Sequence, residues 1–370
     1  MASIKLKGDT SGEVTISAPS VAGTTTLELP ATSSTLATQN SLGVRNLIIN
    51  GDMQIAQRGT SATGITSSNY YTVDRFKVAT SLAGTWTMTQ DTDVPTGQGF
   101  SSSSKLDCTT ANASLSAGSN LIFFQSIESQ NLQHLKFGTS SAESLTLSFW
   151  VKSNKTGTYT AELYLQDDAR QISNAFTINT ADTWEKKTIT VDGDTVGIID
   201  NDNGAGISLF IWLVSGSNWT SGTFNTSWAS AVTANRVSSS NVNLADSTSN
   251  YINITGVQLE VGTEATPFEH RPYDMELARC QRYYEDNSNG VNTMWSGYCT
   301  NGNTYYLGVH YKVTKRSSPT VTFSHVGSSS FPTTGAVNNV NTFGFVQYRT
   351  ANGTNTQGYF QSSFTANAEL

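Results

Sequence analysis

The sequence predicts an all-β fold with an N-terminal arm, a jelly-roll-like β-sandwich, one short linking helix and a small C-terminal β-domain. Two observations carry this prediction: many short segments alternate apolar and polar residues, and Gly, Pro and Asn punctuate them at short intervals. A third is the composition, with 13% charged, 37% hydrophobic and 10% aromatic residues. The charged share is well below the usual value of about 25%, but the apolar content suffices for a folded core. Such a composition is typical of extended extracellular or virion β-proteins.

The length and charge of the chain limit its organisation and its partners. With 370 residues, two or three structural units are expected. The formal net charge of −7 and the lack of a dense basic patch argue against a nucleic-acid partner. No stretch of about 18 apolar residues is present, so we expect no membrane insertion.

The cysteines and the N-terminal residues bear on where the protein is made. Three cysteines, Cys108, Cys280 and Cys299, are too few and too oddly spaced for a disulfide framework, so we expect them to be free and mostly buried. The first residues, "MASIKLKGDTSG", lack the apolar core of a secretory signal, which predicts synthesis in the cytoplasm.

Residues 1–40 form the N-terminal arm. Three segments, "IKLKG", "EVTISAP" and "TTLELP", alternate like half-buried strands, and Gly and Pro separate them. The arm has too few large side chains to bury a core alone. We therefore expect copies of the arm or another surface to hold it.

Residues 41–270 form the predicted sandwich. Its clearest strand is "LTLSFWVKS", with Leu145, Leu147, Phe149 and Val151 on one face. The segments "YTAELYLQ", "TWEKKTITV", "ISLFIWLV" and "YINITGVQLEVG" continue the pattern. Many short strands with turn signals between them favour a two-sheet sandwich, and a jelly roll is the preferred topology.

Residues 271–286 contain the single predicted helix. Pro267 and Pro272 bracket the link that precedes it, and Asp274 occupies the expected N-cap position. One stripe at helical spacing comprises Tyr273, Leu277, Cys280 and Tyr284. A helix of about 11 residues is marginal by itself, so the stripe packs either on its own domain or against copies of the chain at a symmetry axis.

Residues 287–370 predict a small C-terminal β-domain with the strands "YYLGVHYKV", "TVTFSHV", "FGFVQYRT" and "GYFQSSF".

No HExxH motif, GxSxG elbow, P-loop or dinucleotide fingerprint occurs in the sequence, and we predict no catalytic residue and no required cofactor. The acidic run "VDGDTVGIIDNDNGAG" offers oxygen ligands to Ca²⁺ near Asp200 and Asp202, although it departs from the EF-hand pattern. The alternative is a loop whose Asp and Asn side chains support turns.

Aromatic residues in polar surroundings suggest a binding surface. "SNWTSGTFNTSWAS" contains Trp219 and Trp228, and "MWSGYCTNGNTYY" contains Trp295 and Tyr298. Aromatic rings stack on the apolar faces of sugars, while Asn and Asp side chains bond to hydroxyls. These four residues are therefore candidate glycan ligands, and the alternative is that they plug the ends of the sandwich.

Several segments resemble tail fibres and related virion structural proteins of tailed bacteriophages, particularly those of marine and cyanobacterial hosts. They are "GDTSGEVTISAPSVAGTTTLELPA", "NLIINGDMQIAQRGTS", "YTVDRFK", "LTLSFWVKSNKTGTYT", "TWEKKTITV" and "GVQLEVGTEATPFEHRPYDMELARCQRYYE". The last is the most specific, but it is a structural pattern and marks no active site.

The resemblance implies a short tail fibre, located in the virion, that is not an enzyme. Residues 1–40 would attach it to other phage tail or capsid proteins, and the sandwich would bind host-surface polysaccharide. It implies a homotrimer, in which Tyr273, Leu277, Cys280 and Tyr284 are the candidate subunit contacts. Two alternatives stay open: a head fibre, decoration or tail-joining protein that binds no glycan, and a polysaccharide-degrading tailspike.

Overall fold

A computed structural model describes residues 3–7, 13–17, 45–288, 293–353 and 356–370. The chain divides into two compact units, Met1–Gly43 and Val44–Leu370. In the first, β1 (Ser3–Lys7) pairs antiparallel with β2 (Glu13–Ser17), with Ile4 opposite Ile16. These strands match two of the predicted arm segments, and the third, at residues 25–30, lies outside the described residues.

Two antiparallel sheets form the sandwich of the second unit. The strands, in chain order, are β3 (Ser61–Ile65), β4 (Asn69–Tyr70), β5 (Lys77–Ser81), β6 (Thr85–Asp91), β7 (Ser103–Thr110), β8 (Asn120–Glu128), β9 (Leu145–Ser153), β10 (Gly157–Leu165), β11 (Arg170–Ile178), β12 (Glu185–Val191), β13 (Ala205–Ser215), β14 (Ala229–Ser230) and β15 (Tyr251–Val261). One sheet has the order β14-β11-β10-β13-β8-β5-β4, and the other has the order β12-β9-β15-β7-β6-β3. Between β7 and β15 the chain crosses repeatedly from one sheet to the other, as in jelly rolls. The predicted all-β sandwich is confirmed.

The inner faces of both sheets meet in one hydrophobic core. The inward face predicted for β9 is confirmed, because Leu145, Leu147, Phe149 and Val151 all belong to this core. Phe149 meets Phe176 of the opposite sheet edge to face, with ring centroids 5.1 Å apart. The predicted state of the cysteines is also confirmed, since all three are free and buried.

The outer face of the seven-stranded sheet is also apolar in part. Phe210 and Trp212 of β13 point to this face and are buried there, while Phe124 and Tyr164 on neighbouring strands are partly exposed. The connection from β13 to β14, which contains the short helix α1 (Ser217–Thr220), folds over part of this face. β13 is therefore covered on both sides.

Helix α2 (Tyr273–Gln281) follows the sandwich and begins two residues earlier than an N-cap at Asp274 would allow. Its N-cap is Pro272, which makes no side-chain capping bond, and Asp274 lies in the first turn. A negative side chain in the first turn still interacts favourably with the helix dipole. The predicted cap was therefore wrong, although the helix itself was predicted correctly.

Charged groups fasten α2 to the sandwich. Glu276 accepts a hydrogen bond from Asn50 N and lies 3.2 Å from Arg271 Nη1. At the other end, Arg282 donates two bonds of 2.8 Å to Glu128 at the end of β8. The helix thus packs on its own unit.

The C-terminal β-domain consists of two small sheets. Its strands are β16 (Tyr284–Asp286), β17 (Thr293–Cys299), β18 (Thr304–His310), β19 (Thr320–Ser329), β20 (Ala336–Asn338), β21 (Gly344–Thr350) and β22 (Thr356–Asn367). β22 pairs with β16, β17 and β19, and β21 lies between β18 and β20. Phe345 and Phe364 pack edge to face at 5.1 Å in the core between these sheets.

The last residues of the chain return to the sandwich. Glu369 forms ion pairs with Arg75 and Arg58, the latter at 3.1 Å. Tyr70 donates a hydrogen bond of 2.7 Å from its hydroxyl to Leu370 O. We call Arg58, Asp74, Arg75 and Glu369 the buried charge cluster. It joins the two β-domains through contacts far apart in sequence.

Across the described residues, no helix is long and apolar enough to cross a membrane.

Candidate functional site

A cleft of about 440 Å³ opens beside Trp228 at one end of the sandwich. Its walls come from β11, from the turn that follows β12, and from the residues just before β14. We call it the Trp228 cleft; its polar and aromatic lining comprises Arg170, Asn174, Thr190, Asp192, Asp194, Thr195, Thr226, Ser227 and Trp228. Its volume lies in the usual range for small-molecule sites, roughly 300–1,000 Å³.

Trp228 is fixed at the wall of this cleft and remains partly exposed. Its indole Nε1 donates a hydrogen bond of 2.8 Å to Asp192 O. Phe137 contacts the ring edge to face, with centroids 5.5 Å apart. The indole is therefore held in one orientation before any ligand arrives, which reduces the entropy lost on binding.

An ion pair stiffens the floor of the cleft. Arg170 donates bonds of 2.5 and 3.0 Å to the two carboxylate oxygens of Asp194. Burial alone would raise the pKa of Asp194, but the bond from Arg170 and those from backbone N–H groups lower it below its usual value. The turn beneath is tight, because a Cβ at Gly197 would lie 2.5 Å from Asp194 Oδ2.

Polar side chains with unused bonding capacity face the same space. Asn174 is partly exposed, and Asp192 and Thr226 are exposed. Within the described part of the chain, the side chains of these three residues make no hydrogen bond. One rigid aromatic ring next to several free donors and acceptors is an arrangement that can hold a sugar.

The other tryptophan of the same predicted loop, Trp219, lies elsewhere. It packs on Trp212 with ring centroids 5.1 Å apart, and Arg236 lies 5.5 Å from its ring. Trp219 therefore helps to cover the outer face of the seven-stranded sheet and does not line the Trp228 cleft. Although Trp219 and Trp228 are near in sequence, the structure does not bring them into one site.

The two candidates in the C-terminal domain point to opposite faces of β17. Trp295 packs among Tyr305, Phe331 and Phe360, so it serves the domain core. Tyr298 is 61% exposed on the other face of the sheet. There, Tyr359 on the neighbouring strand is its diagonal neighbour. This face is a second aromatic surface, and beside Tyr298 it carries a wide, open depression of about 550 Å³ lined by Tyr359 and Gln357 among others.

The predicted subunit contacts are only partly accessible. Cys280 is fully buried and Tyr284 is 8% exposed, and both are covered by their own unit. The prediction that these two residues contact a second subunit therefore does not hold. Cys280 and Tyr284 lie on the stripe because this side of the helical segment packs on its own unit. Leu277 is partly buried and Tyr273 is 57% exposed, which leaves these two residues for a partner chain.

The predicted calcium ligands lie on an exposed turn. Asp202 Oδ1 accepts a hydrogen bond of 2.7 Å from Gly204 N, as an Asx turn does. Asp167 Oδ2 accepts one of 3.0 Å from Asp200 N. Among the residues that the structure describes, no group of three or more His, Cys, Asp or Glu side chains is placed to hold a metal ion. Calcium binding near Asp200 and Asp202 stays a prediction.

Sequence reasoning missed most of the partners of Trp228. Arg170 and Asn174 belong to no motif, and Asp192 belongs to the acidic run considered for calcium and not for glycan. Only the fold of β11 and β12 brings these residues next to residue 228. A usable signal existed in β17, since residues three apart on a strand face opposite sides of the sheet. That spacing already separates Trp295 from Tyr298.

Comparisons with known proteins give no family assignment. No protein-family model and no curated protein matches the chain. Among solved structures, the chain is similar to the enzymatically active domain of tailspike protein 4 from bacteriophage CBA120, at 16% identity and a TM-score of 0.30. That match covers 59% of this chain and 21% of the tailspike chain, so it spans about a fifth of that protein.

Two further similar structures are carbohydrate-binding modules. One is a module in complex with β-1,4-galactotriose, at 11% identity and a TM-score of 0.27, covering 60% of this chain and 99% of that one. The other is the family 11 module of a cellulosomal cellulase from Clostridium thermocellum, at 12% identity and a TM-score of 0.26, covering 59% and 96%. At these TM-scores a shared fold is not established, so function has to be argued from the residues themselves.

Proposed function

We propose that this chain is a structural protein of a bacteriophage virion that binds host-surface glycan in the Trp228 cleft. The observation that carries the binding role is the fixed, partly exposed indole of Trp228 in a cleft with unpaired polar side chains. The virion role rests on the resemblance of the sequence segments to tail fibres. In this proposal, residues 1–40 attach the protein to the particle and three copies assemble.

The bound sugar places its apolar face on the Trp228 ring. The side chains of Asn174, Asp192 and Thr226 then form hydrogen bonds with hydroxyl groups of the sugar, each of which replaces a water. The Arg170–Asp194 ion pair does not touch the hydroxyls in this scheme, but it keeps the turn after β12 in place. A rigid ring and a rigid turn favour binding without rearrangement.

We also propose that the cleft binds glycan without cleaving it. Glycoside hydrolysis needs one carboxylic acid with a raised pKa and a second carboxylate nearby. Asp194 has a lowered pKa and is held by Arg170, so it is unsuited to donate a proton. Asp192 alone cannot supply both groups. Release of reducing ends from a bound polysaccharide would overturn this part of the proposal.

The test is binding of the labelled, purified chain to a printed array of neutral and acidic oligosaccharides and to host cells. Trp228→Ala should abolish saturable binding to neutral oligosaccharides and to host cells, because it removes the stacking surface. Trp184→Ala is the matched control: Trp184 is also partly exposed, and its Nε1 donates a bond of 2.9 Å to Asp93. Equal binding by the two variants would place the glycan elsewhere, with the face of Tyr298 as the next surface to test.

A further inference from the structure

A second cleft, of about 340 Å³, lies between α2 and the sandwich. We call it the Arg279 cleft; its lining comprises Asn46, Leu47, Ile49, Gln125, Ser126, Ile127, Asn131, His134, Arg279, Arg282 and Tyr283. It shares no lining residue with the Trp228 cleft, so an inference about it does not depend on the proposed function.

Arg279 lacks a partner in this cleft. It is partly buried, yet within the described residues its guanidinium makes no hydrogen bond and no ion pair. Burial lowers the pKa of Arg279, and the nearby charge of Arg271 lowers it further. The nearby carboxylates of Glu276 and Glu269 raise the pKa again in part, but neither bonds to the Arg279 guanidinium within the described residues. A desolvated cation without a directly bonded counter-ion is unfavourable, and that cost is relieved when an anion binds.

The nearby acidic groups are already engaged. Glu276 bonds to Arg271 and Asn50, and Glu269 accepts hydrogen bonds from the backbone N–H groups of Arg45 and Asn46. Glu128 is neutralised by Arg282. Arg271 also pairs with Glu269, so three arginines, Arg271, Arg279 and Arg282, face three carboxylates and the charges balance in number. What remains is the positive charge of Arg279, the one guanidinium of the three without a direct bond within the described residues.

Further donors surround that charge. Arg282 uses Nε and Nη2 for Glu128, which leaves its Nη1 without a bond within the described residues. Asn131 is exposed at the cleft, and its side chain likewise makes no hydrogen bond in the described part of the chain. In contrast, both polar atoms of the Gln125 amide are hydrogen-bonded to the backbone of Ile49, each at 2.8 Å. The free donors of the cleft thus belong to Arg279, Arg282 and Asn131.

The remaining lining is apolar. Leu47 and Ile49 are partly exposed, and Ile127 is buried beneath. The cleft therefore offers a planar, two-pronged cation together with an apolar wall, within the usual volume range of ligand pockets. A planar carboxylate matches the guanidinium fork, and the C–H face of a sugar ring matches the wall.

We propose that the Arg279 cleft binds the carboxylate of an acidic saccharide unit of the uronic-acid type. Arg279 donates two hydrogen bonds from its guanidinium to the carboxylate. Arg282 Nη1 and the Asn131 side chain are additional donors, and the sugar ring packs on Leu47 and Ile49. The protein then has two saccharide sites of different chemistry, a neutral one at Trp228 and an anionic one at Arg279.

The test is a titration of the full chain with glucuronate, glucose and inorganic phosphate, followed by ligand-observed NMR and calorimetry. Glucuronate should bind, and glucose should bind at least about 10-fold more weakly, because a charge-assisted bond of this kind exceeds a tenfold effect. Arg279→Gln should weaken glucuronate by about 10-fold or more. Because the Arg279 side chain makes no bond among the described residues, this variant should fold normally, as a melting curve will show.

Two control variants show whether glucuronate binding depends on this cleft. Lys186→Gln removes the same charge from an exposed position on β12 and should leave glucuronate binding unchanged. Trp228→Ala should also leave it unchanged, even if it abolishes binding to host cells. The proposal is overturned if glucose binds to Trp228→Ala as well as glucuronate does, or if the wild-type chain binds no glucuronate. Phosphate that binds as tightly as glucuronate overturns the saccharide assignment, leaving a site for simple anions.

Discussion

Replacing Glu369 with Gln should destabilise the second unit strongly, because it breaks the buried charge cluster. The Glu369 side chain is 4% exposed and lies between Arg75, 1% exposed, and Arg58, 10% exposed. With Asp74, the cluster contains two positive and two negative side chains. Removing one negative charge leaves Arg75 buried next to a neutral amide, although it still donates 2.7 Å to Ser126 O.

The expected magnitude follows from the cost of a broken buried pair. Removing one partner of such a pair costs about 3–5 kcal/mol, because the other charge stays buried without compensation. Glu369 also anchors the end of the chain next to Tyr70 and Arg316, so its loss weakens the contact between the two β-domains. At roughly 2 °C for each kcal/mol in a unit of this size, Tm should fall by roughly 6–10 °C.

The assay is thermal and urea unfolding of Glu369→Gln beside Glu143→Gln. Glu143 forms an exposed ion pair of 2.5 Å with Lys136, and such surface pairs contribute about 0–1 kcal/mol. The same chemical change is therefore made in a buried and an exposed setting. Equal melting temperatures for the two variants would refute the claim that the cluster fastens the C-terminal β-domain to the sandwich.

Three further predictions concern pH, backbone strain and assembly. Burial raises the pKa of Asp74 to about 6, so the folded state holds its proton between about pH 4 and 6, and stability falls as the pH rises through that window. Asp74→Asn should remove this component, which amounts to up to about 3 kcal/mol between pH 4 and 7. Gly256→Ala should cost about 1–3 kcal/mol, because residue 256 has a φ of +61° and a Cβ there would lie 2.6 Å from the Phe100 ring. Leu277→Asp should reduce the proposed trimer to monomers in light scattering, since Leu277 is one of the two stripe residues still accessible.

Each of these has its own check. Unchanged pH dependence of urea unfolding in Asp74→Asn would show that other groups set it. Gly118→Ala is the control for Gly256, because a Cβ there would meet nothing closer than 3.8 Å and its φ is not positive; an equal loss in both would contradict the strain argument. Leu82→Asp, at a side chain that is 65% exposed on a sandwich turn, controls for the assembly test, and an unchanged mass for Leu277→Asp would exclude that contact.

The strands with one apolar face and one mainly polar face were predictable from the sequence. β9 and β10 alternate cleanly because one side of each meets the core and the other is at least partly polar. β13 shows little apolar–polar alternation, because "ISLFIWLV" is largely apolar on both faces. The connection that carries Trp219 covers its outer face. Periodicity cannot separate inward from outward residues in such a strand.

The site was less predictable than the fold because its members are distant in sequence. A single tryptophan in a polar segment suggested Trp228, but the same signal suggested Trp219, which packs against Trp212. Helical spacing located α2, yet its docking depends on Asn50 and Glu128, which lie more than 150 residues earlier. No local pattern indicates that Arg279 lacks a partner, since that depends on where every other charge is placed.

The most direct test of glycan binding is a saturation curve for the labelled chain on host cells, measured for the wild type, Trp228→Ala and Trp184→Ala. Each variant is first shown to melt cooperatively, so that a loss of binding is not a loss of fold. We predict saturable binding for the wild type and Trp184→Ala, and none for Trp228→Ala. Wild-type binding that persists undiminished in Trp228→Ala would contradict the assignment of the Trp228 cleft as the glycan site.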